Sequence, residues 1–323
     1  MNIHILGTGA IGCLLGASLK STNNKVTLLL RSKAHYEDFR NRQNSIIYRR
    51  DGQHQAISGF DASIADDTTD TSPISSLIVS TKANHTLKAL KPIASRLTPE
   101  STVLLLQNGM GVAEHLMENL WRDESKVPNV MVGVNRHAVQ RLAPYNIHHH
   151  SGYTDPNAFR IGKFPNSNPT QKSEMIDKIV AIPNFQAAVL PWKKLRKEML
   201  TKLFINSCIN GVASVLMCKN KGVIVNNNPG GVAMMRAICE EAYEVFKDDL
   251  PGETMESMMD VVLRVNKEAG ENTCSTLQDI QNRQITEIDY INGYICKMGN
   301  KMNINTKSNQ AIVNLIHARE ALY

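Results

Sequence analysis

Along the first 135 residues, apolar positions come in short runs separated by helix-like stretches. Ile3–Leu6, Val26–Leu30, Leu77–Ser80, Val103–Leu106 and Val130–Val134 are β-branched or leucine-rich and stop at turn residues. Runs that are apolar at nearly every position, without polar alternation, predict strands buried on both faces. The strand–helix–strand rhythm therefore predicts an N-terminal Rossmann-type, doubly wound parallel sheet. Between about Arg136 and Leu190 the pieces become shorter and alternate, as in Asn146–His150 and Ala158–Gly162, and are expected to be antiparallel strands that extend this sheet. After Pro191-Trp192 the period changes again. Leu195, Met199, Leu203, Phe204, Cys208, Ile209 and Val212 recur at helical intervals. Further helices are predicted at Gly230–Phe246, Glu253–Ala269, Thr276–Gln281, Glu287–Met298 and Ser308–Leu322, with Asn226–Pro229 as a loop. The expected fold class is α/β, with residues 1–191 forming the sheet domain and 192–323 an all-helical C-terminal domain.

Composition narrows the class without changing this picture. The 323 residues are 42% hydrophobic and 20% charged, with a formal net charge of +6, ordinary values for a globular chain long enough for two cores. The excess charge is spread out, and its densest stretch, Lys193–Lys197, has no interleaved aromatic on which a base would stack. No nucleic-acid partner is expected. No apolar run approaches the ~18 residues a membrane helix needs, so no membrane partner is expected either. The six cysteines contain no Cys-x-x-Cys pair and mostly fall within apolar-periodic segments, suiting a reducing compartment. Ile3–Leu6 already reads as structural, so a cytoplasmic location is expected. His148-His149-His150 are consecutive on a predicted strand, so their side chains alternate between faces and do not converge on one ion; no metal is expected.

Candidate chemistry begins at residue 7. Gly7-Thr8-Gly9-Ala10-Ile11-Gly12 follows the first strand directly and opens a helix, the context that a dinucleotide-binding turn requires. The first glycine permits the turn, the second admits a pyrophosphate to the backbone, and the third lets helix and strand approach. The second strand ends at Leu30, where an acidic residue would hold a ribose 2′-hydroxyl; this chain has Arg31-Ser32-Lys33 instead. Cations there suit the 2′-phosphate of NADPH, so NADPH/NADP is the expected cofactor. Lys82 and Asn108-Gly109 follow the third and fourth strands at the same carboxyl edge, where cofactor and substrate are expected.

In the helical half, Lys202, Asn206 and Asn210 are spaced i, i+4, i+8 and make one polar line on an otherwise apolar helix. An ammonium and two carboxamides can together donate several hydrogen bonds to a carboxylate and a carbonyl. Ser275, with Gln278 three residues on, has the spacing of a capping box, and Glu287 stands at the head of a predicted helix, where the dipole favours an acid.

The segment Lys202–Asn210 resembles the catalytic helix of the ketopantoate reductases, which reduce 2-dehydropantoate to (R)-pantoate with NADPH in pantothenate and coenzyme A biosynthesis. Gly7–Gly12, Arg31, Leu106–Gly109, Trp192-x-Lys194, Ser275–Asp279 and Thr286–Gly293 resemble that family's blocks in the same order. Lys-x-x-x-Asn alone is shared with the wider β-hydroxyacid dehydrogenase class, so the Ser275 and Glu287 blocks carry the specificity. The resemblance implies that Lys202 is the general acid, that Glu287 binds the substrate hydroxyl and also borders the cofactor, and that Ser275, Asn206, Asn210 and Asn108 hold the substrate. It implies a small-molecule oxo acid as partner and allows a homodimer. The longer stretch between residues 136 and 175 departs from the family pattern. Two alternatives stay open: a reductase of another short oxo acid, and an NADP-binding protein without catalysis.

Overall fold

The structure is a computed structural model that describes residues 1–67, 69–165, 172–225 and 228–323. It divides into two compact units, Met1–Gln107 with Val112–Leu195, and Asn108–Gly111 with Arg196–Tyr323. The first contains β1 (Asn2–Leu6), α1 (Ala10–Ser21), β2 (Lys25–Leu30), α2 (Lys33–Asn41), β3 (Ile46–Arg50), β4 (Gln53–Ile57), β5 (Asp61–Ile64), β6 (Ser76–Val79), α3 (Ala83–Leu90), β7 (Thr102–Leu105), α4 (Val112–Asn119), β8 (Asn129–Asn135), β9 (Ala138–Ala143), β10 (Asn146–Ser151), β11 (Phe159–Lys163), α5 (Glu174–Val180) and β12 (Ala187–Val189).

Eight strands form the main sheet in the order β12-β11-β8-β7-β6-β1-β2-β5. From β5 to β8 every pairing is parallel, and β6 and β7 are buried at every position, as their unbroken apolar runs require. The chain leaves β1 for β2 on one side and later returns to β6 on the other, which makes the end of β1 the switch point of the sheet.

The expectation for residues 136–190 needs correction. β11 does extend the main sheet, antiparallel to β8, and β12 adds to it in parallel. β9 and β10 do not; they join β3 and β4 in a separate four-stranded sheet ordered β4-β3-β10-β9. The cause lies about 100 residues upstream. Asp51-Gly52, with φ of 51° and 76°, makes a two-residue hairpin turn of the kind these residues favour, and β10 pairs in parallel with the β3 edge of that hairpin. On β10, His149 is buried, bonded to His137 at 3.0 Å and to the Tyr48 hydroxyl at 2.8 Å, while the rings of His148 and His150 lie 3.9 Å apart. Burial, then the neighbouring His137, pushes the His149 pKa down to about 4.

The division between units falls inside α6 (Trp192–Val215), which is followed by α7 (Pro229–Phe246), α8 (Met255–Glu268), α9 (Ser275–Gln281), α10 (Asn292–Met302) and α11 (Lys307–Glu320). Leu203, Phe204, Cys208, Ile209 and Val212 of α6 are buried with Ile238 and Phe246 of α7, Val262 of α8 and Ile295 of α10. Local signals agree with packing at several ends: Asn228 caps α7 ahead of Pro229, and Thr254 and Ser257 form a capping box on α8. Asn226 and Asn227, part of the expected loop, lie outside the described residues. Among the described residues, no helix is long and apolar enough to cross a membrane.

Two local expectations fail in this unit. Ser275 does not cap α9; Cys274, with extended backbone (φ −64°, ψ 158°), is the N-cap, and no side chain makes a capping bond. The continuous helix expected from Glu287 is instead a single 3₁₀ turn at Ile288–Tyr290, then α10. The Tyr290 carbonyl accepts from the Met110 amide at 2.8 Å, so a group that would have continued a helix is used to hold another segment.

Candidate active site

In the first unit the glycine-rich turn is built by close contact. Gly7 has φ of 104°, and a side chain there would meet the Thr81 amide at 2.7 Å, while one on Gly12 would meet the Gly7 carbonyl at 1.9 Å. The Ser80 hydroxyl donates to that same carbonyl at 2.7 Å. At Gly9 the situation is reversed, since nothing lies within 4 Å of where a Cβ would stand. Gly9 is the N-cap of α1 and lacks a side-chain cap, and the first turn of the helix holds no acid. Amide donors of a helix start, an open backbone at Gly9 and no competing carboxylate suit a diphosphate, so the residues present fit a dinucleotide.

Arg31, exposed at the end of β2, donates through Nε to His35 Nε2 at 3.1 Å, and His35 Nδ1 lies 2.7 Å from the Ser32 hydroxyl. Burial first, then the Arg31 charge, keeps the His35 pKa below its ordinary value; a neutral ring can accept from Arg31 at one nitrogen and donate to Ser32 from the other. Ser32 also caps α2. Thr8 and His35 share a pocket with Asp38, Arg141 and Tyr145. His35 and Arg141 are not among the expected site residues. His35 was legible as the i+4 neighbour of Arg31 on a helix start, but Arg141 arrives on β9 of the second sheet and had no local signal. Lys82 is the N-cap residue of α3.

The second unit assembles Lys202, Asn108 and Glu287. Asn108, between β7 and α4 in the chain, accepts from Lys202 Nζ at 3.0 Å and donates to Glu287 Oε2 at 3.3 Å. An ammonium only donates and a carboxylate only accepts, so one orientation of the carboxamide satisfies both. Asn108 is held by its neighbours: Gly109, with φ of 78°, leaves no room for a side chain, which would stand 2.1 Å from the Tyr290 carbonyl. Glu287 is 8% exposed. Two turns along α6 from Lys202, buried Asn210 donates to the Ser275 hydroxyl at 3.4 Å. Its failure to cap α9 leaves that hydroxyl facing Asn210. Asn206, between them on the polar line, is partly buried. Behind this line, Asn292 donates to the Ser207 carbonyl at 3.2 Å and to Asn309 at 3.0 Å, tying α6 to α10 and α11. A partly buried ammonium positioned by a carboxamide, with a buried carboxylate on the other side of it, can stabilise an oxyanion and supply a proton.

The model of the family Ketopantoate reductase PanE/ApbA matches residues 3–166, and that of its C-terminal region matches residues 194–320. The chain belongs to the ketopantoate reductase family. Membership makes it a pyridine-nucleotide-dependent oxidoreductase acting on a small molecule. The probable 2-dehydropantoate 2-reductase of Schizosaccharomyces pombe is 29% identical over 346 residues, covering 99% of this chain and 97% of that protein. Among solved structures, D-mandelate dehydrogenase with NADH and anilino(oxo)acetate has a TM-score of 0.81 at 21% identity, covering 99% of this chain and 98% of that one. A dimeric ketopantoate reductase from Staphylococcus aureus has a TM-score of 0.73 at 16% identity, covering 99% of both chains. The two structures speak to the fold; the family models carry the membership.

Proposed function

We propose that this chain reduces 2-dehydropantoate to (R)-pantoate with NADPH, in the supply of pantothenate and coenzyme A, with the domain limits 1–191 and 192–323 and as a cytoplasmic homodimer. The observation that carries the reading is the bridge of Asn108 between Lys202 and Glu287, in a chain whose two family models and S. pombe relative point to the same substrate. The likeness to the dimeric S. aureus enzyme supports the assembly.

When bound, the cofactor supplies hydride to the carbonyl carbon of the oxo acid. Gly7, Thr8, Gly9, Ala10, Ile11 and Gly12 would hold its diphosphate through backbone amides, Arg31 would meet its 2′-phosphate, and Lys82 would border it at the carboxyl edge of the sheet. Lys202 stabilises the charge that develops on the carbonyl oxygen and then gives it a proton, general acid catalysis worth about 10²–10⁴-fold. Asn108 keeps the ammonium in place. Glu287 would accept a hydrogen bond from the new hydroxyl. Ser275, Asn206 and Asn210 donate to the substrate carboxylate and its polar tail.

The test is steady-state oxidation of NADPH and of NADH with 2-dehydropantoate beside other short and aryl oxo acids. The expected result is a kcat/KM highest for the pair NADPH and 2-dehydropantoate. A higher value for another oxo acid would move the chain to a different substrate, and no turnover with any would remove the catalytic reading.

A further inference from the structure

The segment that carries Glu287 is clamped from the C-terminal helix. Glu320, the last residue of α11 and 8% exposed, accepts from the Thr286 amide at 2.7 Å through Oε1. Its other oxygen lies 3.1 Å from His317 Nδ1, one turn back on the same helix. The far nitrogen of that ring, Nε2, lies 2.9 Å from Asp289 Oδ1. Residues 286 and 289 thus hang from one carboxylate–imidazole–carboxylate chain, and Glu287 sits between its two attachment points. Within the segment, Thr286 Oγ1 accepts from the Ile288 amide at 3.3 Å and the Tyr290 amide donates to the Glu287 carbonyl at 2.9 Å. The Met110 amide, two residues from Asn108, holds the Tyr290 carbonyl at 2.8 Å.

We propose that His317 and Glu320 are positioning residues for the Glu287 carboxylate, acting through the Thr286 backbone and the Asp289 side chain without touching substrate. The inference rests on the reading of Glu287 as a substrate-binding group. Its chemistry follows from hydrogen count. Two carboxylates face the two ring nitrogens, and only an imidazolium carries hydrogen on both; a neutral ring satisfies one of them. The charged groups facing the ring are Asp289 from the 3₁₀ turn and Glu320 from its own helix; Glu320, with Arg319 and Asp279, also acts on Tyr323 beyond the helix end. Burial lowers the affinity of His317 for its proton, but Asp289 and Glu320 outweigh burial and leave its pKa raised above 6.5. The clamp is therefore complete at low pH and loses one arm as pH rises through that raised value.

The experiment compares the wild-type enzyme with His317→Ala, His317→Arg and Glu287→Gln across pH 6–9, with KM for the oxo acid, KM for NADPH and kcat measured separately. His317 is exposed enough, at 44% of its side chain, for the alanine variant to fold, and a thermal melt checks this. Expected for His317→Ala is a several-fold rise in oxo-acid KM at pH 6, with kcat and the NADPH KM within twofold of wild type, and a flatter pH dependence of oxo-acid KM. Arginine carries five N–H donors and a permanent charge, enough to serve both carboxylates, so His317→Arg is expected to restore the low KM and hold it at high pH. A low oxo-acid KM in His317→Ala, with Glu287→Gln impaired, overturns the positioning inference and leaves the reading of Glu287 standing. A fully active Glu287→Gln overturns both. Should His317→Ala fail to fold, a His317→Arg enzyme with the wild-type pH profile overturns the inference.

Discussion

The turn Gly7–Gly12 and the trio Lys202, Asn108 and Glu287 are both small polar sites, but they are built in opposite ways. The turn is contiguous and made of backbone: steric contacts at Gly7 and Gly12 set its shape, and the open position at Gly9 leaves amides accessible. The trio is made of side chains from three places in the chain, and its geometry depends on Gly109, Tyr290, Thr286 and Glu320 as much as on its members. A backbone site tolerates many side chains but few added atoms; a side-chain site tolerates neighbouring changes only while its supports hold. The difference predicts which substitutions separate cofactor handling from chemistry.

The largest effect is expected at the trio. Lys202→Ala should lower kcat by at least about 10²-fold, the loss of a general acid, with NADPH affinity little changed. A folded variant that keeps more than about a tenth of the turnover would contradict a proton-donating role of that size. Asn108 and Glu287 are expected to remain paired in it, so a small effect could not be ascribed to collapse of the site.

At the turn, Gly9→Ala is the matching test. Its φ of −75° suits an L-residue and nothing obstructs the methyl group, so melting temperature should hold while NADPH affinity falls by roughly 1–3 kcal/mol, the cost of forcing a methyl into a packed contact. Unchanged affinity in a cofactor titration would mean that the diphosphate does not lie there. A comparable but more selective loss is expected for Arg31→Ala, about 1.5–3 kcal/mol at most for one charged hydrogen-bonding partner, felt by NADPH and not by NADH. Equal KM changes for the two cofactors would contradict the 2′-phosphate assignment. The smallest effect is expected for Ser275→Ala. Because Cys274 and not Ser275 occupies the N-cap, stability should change by less than the ~0.5–2 kcal/mol of a lost cap, while oxo-acid KM rises about five-fold, a hydrogen bond's worth of roughly 1 kcal/mol. A fallen melting temperature with unchanged KM would reverse that reading.

How far each site could be read from the sequence follows from the same contrast. The glycine turn was legible because every residue it needs lies within six positions after a strand, and Arg31 because it directly follows the next strand. The polar line of α6 was legible by helical spacing. The link from Lys202 through Asn108 to Glu287 was not, since it spans sequence separations of 94 and 179 residues; only the resemblance to a family brought those positions into one list. The capping box at Ser275 misled because spacing shows what a side chain can reach, whereas the backbone angles of Cys274 decided which residue begins the helix.

By itself the sequence determined the element types, the parallel sheet, the helical C-terminal half and the glycine-rich turn, since these depend on periodicity and on local steric limits at glycine. Tertiary structure alone decided that β10 would leave the main sheet for the edge of a distant hairpin, that the Tyr290 carbonyl would be taken by Met110, and that Glu320 would hold Thr286. Each is a competition between partners far apart in the chain for one backbone hydrogen-bonding group or strand edge, and local pattern carries no term for the competitor.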